Sequence, residues 1–313
     1  MKKVPSYFAN GKWLGLKSTS IFVLLSLELT AQSIPQQVRT YAEQFRESRS
    51  VAMPAMLKEQ KFAEEVIEAA SVFFRDTIPF VRGQMYALVA QAGANAKEHG
   101  LRQQTVRKLA NASSDWENLD VLIGQLARFD PGDFSPAATD TLASLFRKNP
   151  PYHDQLARLC GVLGIVELRD DLKALSGPAT KNQRLRWAAL LALARMGDKE
   201  ALNGIMKRVQ RLPVNDDVVY EVFPDLIYTL QRPAIDYLIV ELNSDEKKCS
   251  TADDTPVTCA YRIMEMLAEA VEKYPLQTDV SGDIKSKDYE KSLTTVRQWF
   301  NKNRDYQIRI LRN

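Results

Sequence analysis

An all-α fold, a solenoid of stacked antiparallel helix pairs, is what this chain of 313 residues predicts. Three observations predict it. Apolar residues return at the helical period almost throughout, and no hairpin dipeptide stands between alternating apolar runs. Residues 181–213 read as two short helices meeting at a sharp corner, the first apolar on nearly all sides and the second amphipathic. Helix-ending positions recur at a near-constant offset, since Gly164 and Gly197 lie 33 residues apart and Gln231 follows Gly197 by 34, a spacing that fits a helical repeat.

The N-terminus carries Lys2, Lys3, Lys12 and Lys17, then the apolar run 21–27, then Ala31, Gln32 and Ser33. Small residues occupy the positions a signal peptidase reads, so residues 1–33 are expected to be a secretory signal. The apolar run is too short to span a bilayer and Glu28 ends it. No integral membrane segment is expected after cleavage, no cysteine follows for lipid attachment, and the mature chain is expected to be secreted or periplasmic. Of the 42 Lys and Arg and 39 Asp and Glu, the leader holds four lysines and one glutamate. The mature chain is therefore formally neutral, and the basic balance of the whole chain gives no support for a nucleic-acid partner.

Residues 34–50 and 54–74 read as two long helices that cap the array, the second carrying Met56, Leu57, Phe62, Val66, Ile67, Ala70 and Phe73 on one stripe. The repeats proper are expected over 78–313. Runs 81–93 and 101–109 make a first unit with a corner at 93–100; runs 116–129 and 136–146 make a second. Asp115, after Ser113 and Ser114, is placed to cap the helix at Trp116, and Ser135 to cap one opened by Pro136. Leu156 to Gly164 with Leu168, Leu172 and Leu175 make the third unit.

The fourth unit is the most sharply written. From Trp187 to Met196 only Arg195 is charged, so this helix has to be covered on both flanks, and Trp187 is assigned to the core. Gly197 can take the left-handed conformation that ends it, and Asp198 can cap the next helix. That helix sets Ala201, Leu202, Ile205, Met206, Val209 and Leu212 against Lys207, Arg208, Gln210 and Arg211. A buried helix paired with a half-buried one cannot hide its apolar surface alone, the condition under which repeat units stack. A fifth unit follows over 225–242, where Pro224 is expected to kink the first helix and Pro233 to open the second. A helix over 259–274, a polar loop over 277–287 and a closing helix over 289–303 with Leu293, Val296, Trp299 and Phe300 inward complete the chain.

Residues 184–205, with an arginine, the run from Trp187 to Leu191, then Gly197 and Asp198 and a second apolar stripe, resemble a HEAT repeat of the short, PBS-lyase type. The resemblance runs over about 78–242. It implies a right-handed HEAT/ARM-like superhelix and a non-enzymatic scaffold for protein–protein interaction. A structural or regulatory subunit of an envelope complex, or an enzyme of HEAT-like lyase type, are the alternatives.

In a HEAT array the second helices line the inner curve. Here they carry Arg107 and Lys108, then Arg147 and Lys148, then Lys207, Arg208 and Arg211. The resemblance thus implies a mildly basic strip that would meet a protein or peptide partner through an acidic segment. Solvated helix faces, with cations drawn to helix C-termini by the dipole, account for the same residues.

Chemistry is sparse. Two histidines, His99 and His153, stand beside expected helix ends and are read as surface residues; a zinc site needs three or four ligands, and no Cys or His cluster supplies them. No nucleophile elbow or phosphate-cradling glycine loop occurs. The pairs Asp170–Asp171, Asp216–Asp217 and Asp253–Asp254 point in different directions on a helix and read as caps and loop charges. No metal, cofactor or catalytic residue is expected. Export, with a polar stretch over 250–258 between helices, predicts a disulfide between Cys249 and Cys259 and leaves Cys160, among Leu159, Val162 and Leu163, as a buried thiol. Intact mass of the exported protein tests the leader: loss of residues up to about Ser33 is expected, and a mature chain that keeps them overturns the assignment.

Overall fold

The computed structural model describes residues 33–251, 253–279 and 282–309. Of the expected leader, only Ser33 falls within them. The described residues form an all-α protein, and no helix among them is long and apolar enough to cross a membrane.

The first helix, α1 (Ile34–Glu47), starts where the Ser33 amide donates to Gln36 Oε1 at 3.1 Å and Pro35 fills the first turn. The long helix expected over 54–74 is broken: short 3₁₀ turns at Ala55–Lys58 and Gln60–Phe62 flank an extended Glu59, and only then does α2 (Ala63–Ser71) begin. Leu57 and Phe62 are five positions apart, which a helix would turn to different sides. The break lets Leu57 reach the core alongside Ala63, Val66, Ile67 and Ala70.

The pair α3 (Pro79–Ala94) and α4 (His99–Asn111) turns at 95–98, a shorter corner than expected, with Gly93 still inside α3. A Cβ on Gly93 would stand 2.4 Å from Thr105, so glycine there lets α4 lie against the α3 backbone. Next come α5 (Leu119–Leu126) and α6 (Pro136–Phe146), the latter capped by Ser135, whose hydroxyl accepts from the Ala138 amide. Asp115 caps nothing; its carboxylate is taken by residues of α3.

α7 (His153–Leu163) ends at Gly164 with φ +62° and is followed by α8 (Arg169–Ser176). α9 (Gln183–Arg195) and α10 (Lys199–Val209) meet at Gly197, φ +84°, with Asp198 accepting from the Ala201 amide at 3.0 Å. Leu185, Ala188, Ala189 and every residue from Leu191 to Ala194 are buried in α9, under cover from α7, α8, α10 and a later helix. Trp187 is half-buried rather than fully enclosed.

Pro224 divides the expected kinked helix in two, α11 (Asp216–Glu221) and α12 (Phe223–Thr229), and takes a first-turn position in the second, where its missing N–H leaves no helix bond unmade. α12 is the further cover of α9. α13 (Arg232–Leu242) opens at Pro233. A two-residue antiparallel hairpin, β1 (Cys249–Ser250) with β2 (Pro256–Val257), then departs from a purely helical chain. Cys249 and Cys259 are bridged, S–S 2.15 Å with alpha carbons 5.0 Å apart, which ties the hairpin to the start of α14 (Ala260–Ala270). A loop of this length is worth about 2.5–3 kcal/mol in the chain-entropy model. Cys160 is a buried free thiol, pushed up in pKa by burial. After α15 (Tyr289–Lys302) the chain runs back antiparallel beside the end of α14, through a bridge between Val271 and Ile308.

His153 departs from expectation most clearly. It is buried edge-on to Phe146, with ring centroids 4.3 Å apart, and its Nε2 has no hydrogen-bond partner among the described residues. Burial lowers its pKa, so it sits neutral in the α6–α7 contact.

The α7–α9 contact yields a test by contrast. A Cβ at Gly161 would fall 2.7 Å from Ala192 Cα and 2.4 Å from the Tyr228 hydroxyl, while at Gly204 the nearest atom is Leu190 Cδ2 at 3.9 Å. Gly161→Ala should destabilise by about 2–3 kcal/mol through overpacking, and Gly204→Ala should stabilise by about 0.5–1 kcal/mol through lost unfolded-state freedom. Denaturant midpoints at unchanged slope measure both; equal effects would mean that the two helices are not in this close approach.

Candidate functional site

An apolar cleft of about 620 Å³ lies between α10 and α13. Its walls come from two amphipathic helices whose buried stripes point into the core, leaving their flanks to face each other. Met206 and Lys207 stand on the α10 side, Pro233, Tyr237 and Val240 on the α13 side. Val240 is 67% exposed, a large apolar side chain left to water. Past Gln210 and Tyr237 the cleft continues into a second hollow of about 470 Å³, walled by Leu212, Val214, Ser244, Lys248 and the bridged Cys259.

Charge is distributed unevenly along it. Asp236 accepts from Arg232 Nε at 2.9 Å and from the Tyr306 hydroxyl at 2.7 Å. Glu246 is ion-paired with Lys248. Burial and the neighbouring Glu241 carboxylate push Tyr237 up to about 12, so it stays a neutral phenol. Lys207 and, four residues on and past the end of α10, Arg211 are exposed and carry no ion pair among the described residues. Of the charged side chains that line the two hollows, Lys207 at one end and Glu241 at the other make no ion pair among the described residues, and Arg211 stands just outside the lining, so the unpaired positive charge is confined to the α10 side.

Of the other cations expected on a basic strip, Lys108 lies 3.2 Å from Glu68, and Arg147 lies 3.0 Å from Asp171 while donating to the Glu167 carbonyl. Arg208 holds its guanidinium 4.8 Å from the Trp187 ring centre. Arg107 and Lys148 are exposed on α4 and just past α6. Five of the seven, Arg107, Lys148, Lys207, Arg208 and Arg211, are thus exposed without a paired acid among the described residues, Arg208 with its guanidinium over the Trp187 ring. Missed in the sequence were Tyr237 and Val240. The signal was there: from Ala234 to Leu242 only Asp236 and Glu241 are charged, too wide an apolar stripe for one core-facing side.

Comparison with protein-family models, with curated proteins and with solved structures finds no match. What the cleft could hold is therefore read from its own side chains.

Elsewhere the strongly placed acids are occupied by the protein itself. Asp225 receives Arg158 Nη1 and Trp187 Nε1, each at 2.6 Å. Glu265 receives the Tyr289 hydroxyl at 2.7 Å and Arg262 Nη1 at 2.8 Å. Asp115 takes Arg82 through Nε at 2.6 Å and Nη2 at 2.8 Å, with Tyr86 and Asn118 each at 2.9 Å. These are struts between helices, and no group of His, Cys, Asp and Glu among the described residues is arranged to hold a metal ion.

Burial alone would raise the pKa of Asp115, but the bonds from Arg82, Asn118 and Tyr86 outweigh it and hold the carboxyl below its ordinary value. Its ionised form therefore stabilises the fold above the unfolded value of about 3.9 and loses that effect as pH falls through the folded one. Asp115→Asn should cost about 2 kcal/mol at pH 7. The gap between variant and parent should hold down to about pH 5 and close below about pH 4. Urea unfolding at stepped pH reads this; a gap that does not change with pH would show that the charge of Asp115 is not what matters.

Proposed function

We propose that the chain is a right-handed array of HEAT-like helix pairs, exported to the periplasm or beyond, that works without chemistry of its own by holding a partner protein. The partner's contact is an acidic segment laid in the cleft between α10 and α13. Support for the array comes from polar contacts that step along the chain by one repeat. Arg82 to Asp115, His99 to the Gly132 carbonyl, and Arg195 to the Tyr228 carbonyl each span 33 residues. Support also comes from packing, since α3, α5, α7, α9, α12 and α14 each contact the next in turn. Such stacking presents an extended surface suited to another chain.

The observation that carries the site is exposed Val240 and half-buried Met206 and Tyr237 lining one cleft with the unpaired Lys207, and Arg211, four residues on, exposed just outside that lining. Apolar contact supplies affinity, and the free cations select for carboxylates and speed encounter. Arg208 is left out because it is committed to Trp187.

Fluorescence polarisation against a library of labelled decapeptides, with acidic, neutral and basic members sharing the same apolar positions, tests this. Acidic members should bind best and weaken as salt rises from about 50 to 300 mM. Lys207→Glu with Arg211→Glu should weaken them by about tenfold or more while stability stays within about 0.5 kcal/mol, as for exposed positions. Binding that is indifferent to peptide charge, or that survives the double reversal, overturns the reading.

A further inference from the structure

A second cleft, of about 540 Å³, lies between the end of α4 and the outer face of α6. Over it stands Trp116, 48% exposed. The exposure is built in. Trp116 opens a 3₁₀ turn, Trp116–Asn118, in which residues three apart share a side. Asp115 and Asn118 both turn inward, where the Asp115 carboxylate is clamped by Arg82, Tyr86 and Asn118, so the indole between them has to face out. A rigid turn thus presents a large flat apolar ring to solvent.

Around that ring the polar side chains are idle. Asn111, Ser114, Asp140, Ser144 and Lys148 all line the cleft, and none makes a side-chain hydrogen bond or ion pair among the described residues. Thr141 and Ser113 differ, since their hydroxyls are spent on the carbonyls of Ala137 and Ala110. Asp140 and Ser144 stand one turn apart on α6 with Lys148 just past its end, a row of about 12 Å at the helical rise.

We propose that this cleft is a saccharide-binding site, taking a neutral or acetamido oligosaccharide with one ring stacked on Trp116. A sugar ring offers an apolar C–H face to the indole and a rim of hydroxyls that both donate and accept. Asp140 can only accept, the Lys148 ammonium can only donate, and Asn111 does both; hydroxyls answer all three. A proline-rich segment, the other ligand that stacks on an exposed indole, brings chiefly carbonyl acceptors and would leave the Asp140 carboxylate without a donor. Asp140 and Lys148 cancel in charge, which favours a neutral sugar over a uronic acid. The cleft's volume lies within the range of about 300–1,000 Å³ usual for small-ligand sites.

Calorimetry and saturation-transfer NMR on the full chain decide it, with cellotetraose, chitotetraose, maltotetraose and mannotetraose as ligands and tetragalacturonic acid and hexaproline as comparators. At least one neutral or acetamido tetrasaccharide should bind, more tightly than either comparator. Trp116→Ala should weaken that binding by about tenfold or more, and Trp116→Phe should recover part of it. Asp140→Ala should weaken it several-fold with Trp116 intact. Both positions face water, so the far-UV spectrum and melting curve should not move. The proposal fails if none of the four neutral or acetamido sugars binds, if binding survives Trp116→Ala, or if hexaproline binds and the sugars do not.

Discussion

The structure depends on the burial of α9. Its residues from Leu191 to Ala194 have no side that can face water, so helices have to close over it from every direction, and α7, α8, α10 and α12 do. Alanines at 188, 189, 192 and 194 keep the helix slim, and at Gly161 even a methyl group on the neighbouring α7 would collide with the Ala192 backbone. Close approach of this kind multiplies small dispersion contacts along the length of both helices. It also fixes the register of α7 against α9, because any slide would set a side chain where Gly161 now leaves room.

Apolar packing by itself would leave the angle between successive helix pairs soft. Buried polar struts remove that freedom. Asp225 on α12 reaches Arg158 on α7 and Trp187 on α9 together, and Arg158 and Arg195 stack on the Tyr228 ring at 4.6 and 5.2 Å. A carboxylate taken from water costs several kcal/mol unless it is fully bonded, so this geometry tolerates little rotation. Asp115 does the same between α3 and the turn before α5, and Glu265 between α14 and α15. Specification of one arrangement, more than net stability, is what such struts contribute.

How much of this was legible in the sequence follows from the range of each interaction. The corner at Gly197 and Asp198 could be read because both signals act within four residues. The break at Glu59 could not, since the stripe from Met56 to Phe73 looks continuous until the five-residue gap after Leu57 is weighed against the helical turn. Asp115 matches a cap signature locally, yet Arg82, 33 residues earlier, claims it. Position 153 likewise carries no mark of burial; the neutral ring is held by Phe146 across a corner. The α10–α13 cleft was half legible: Lys207 and Arg211 stood out as cations, while Tyr237 and Val240 were hidden in a run that reads as ordinary core. Trp116 was legible as a helix start and not as an exposed ring, because its outward aim depends on where Asp115 points.

The disulfide has its physical role in this geometry. The connection between α13 and α14 is polar, and the segment it carries forms the far wall of the cleft through Ser244, Glu246, Lys248 and Thr258. Left to itself, a stretch of this composition has few apolar groups with which to hold a position. The bridge from Cys249 to Cys259, with both sulfurs' residues buried, pins the hairpin against the start of α14. Thr258 then donates to the Ser244 carbonyl at 2.9 Å, and Arg297 of α15 donates to the carbonyls of Leu242 and Ser244 at 2.9 and 3.1 Å. A wall fixed in advance spares an incoming segment the ordering cost that a mobile loop would impose at the moment of contact. The same constraint that stabilises the fold by limiting the unfolded chain therefore also shapes the cleft wall against which the proposed partner segment would lie.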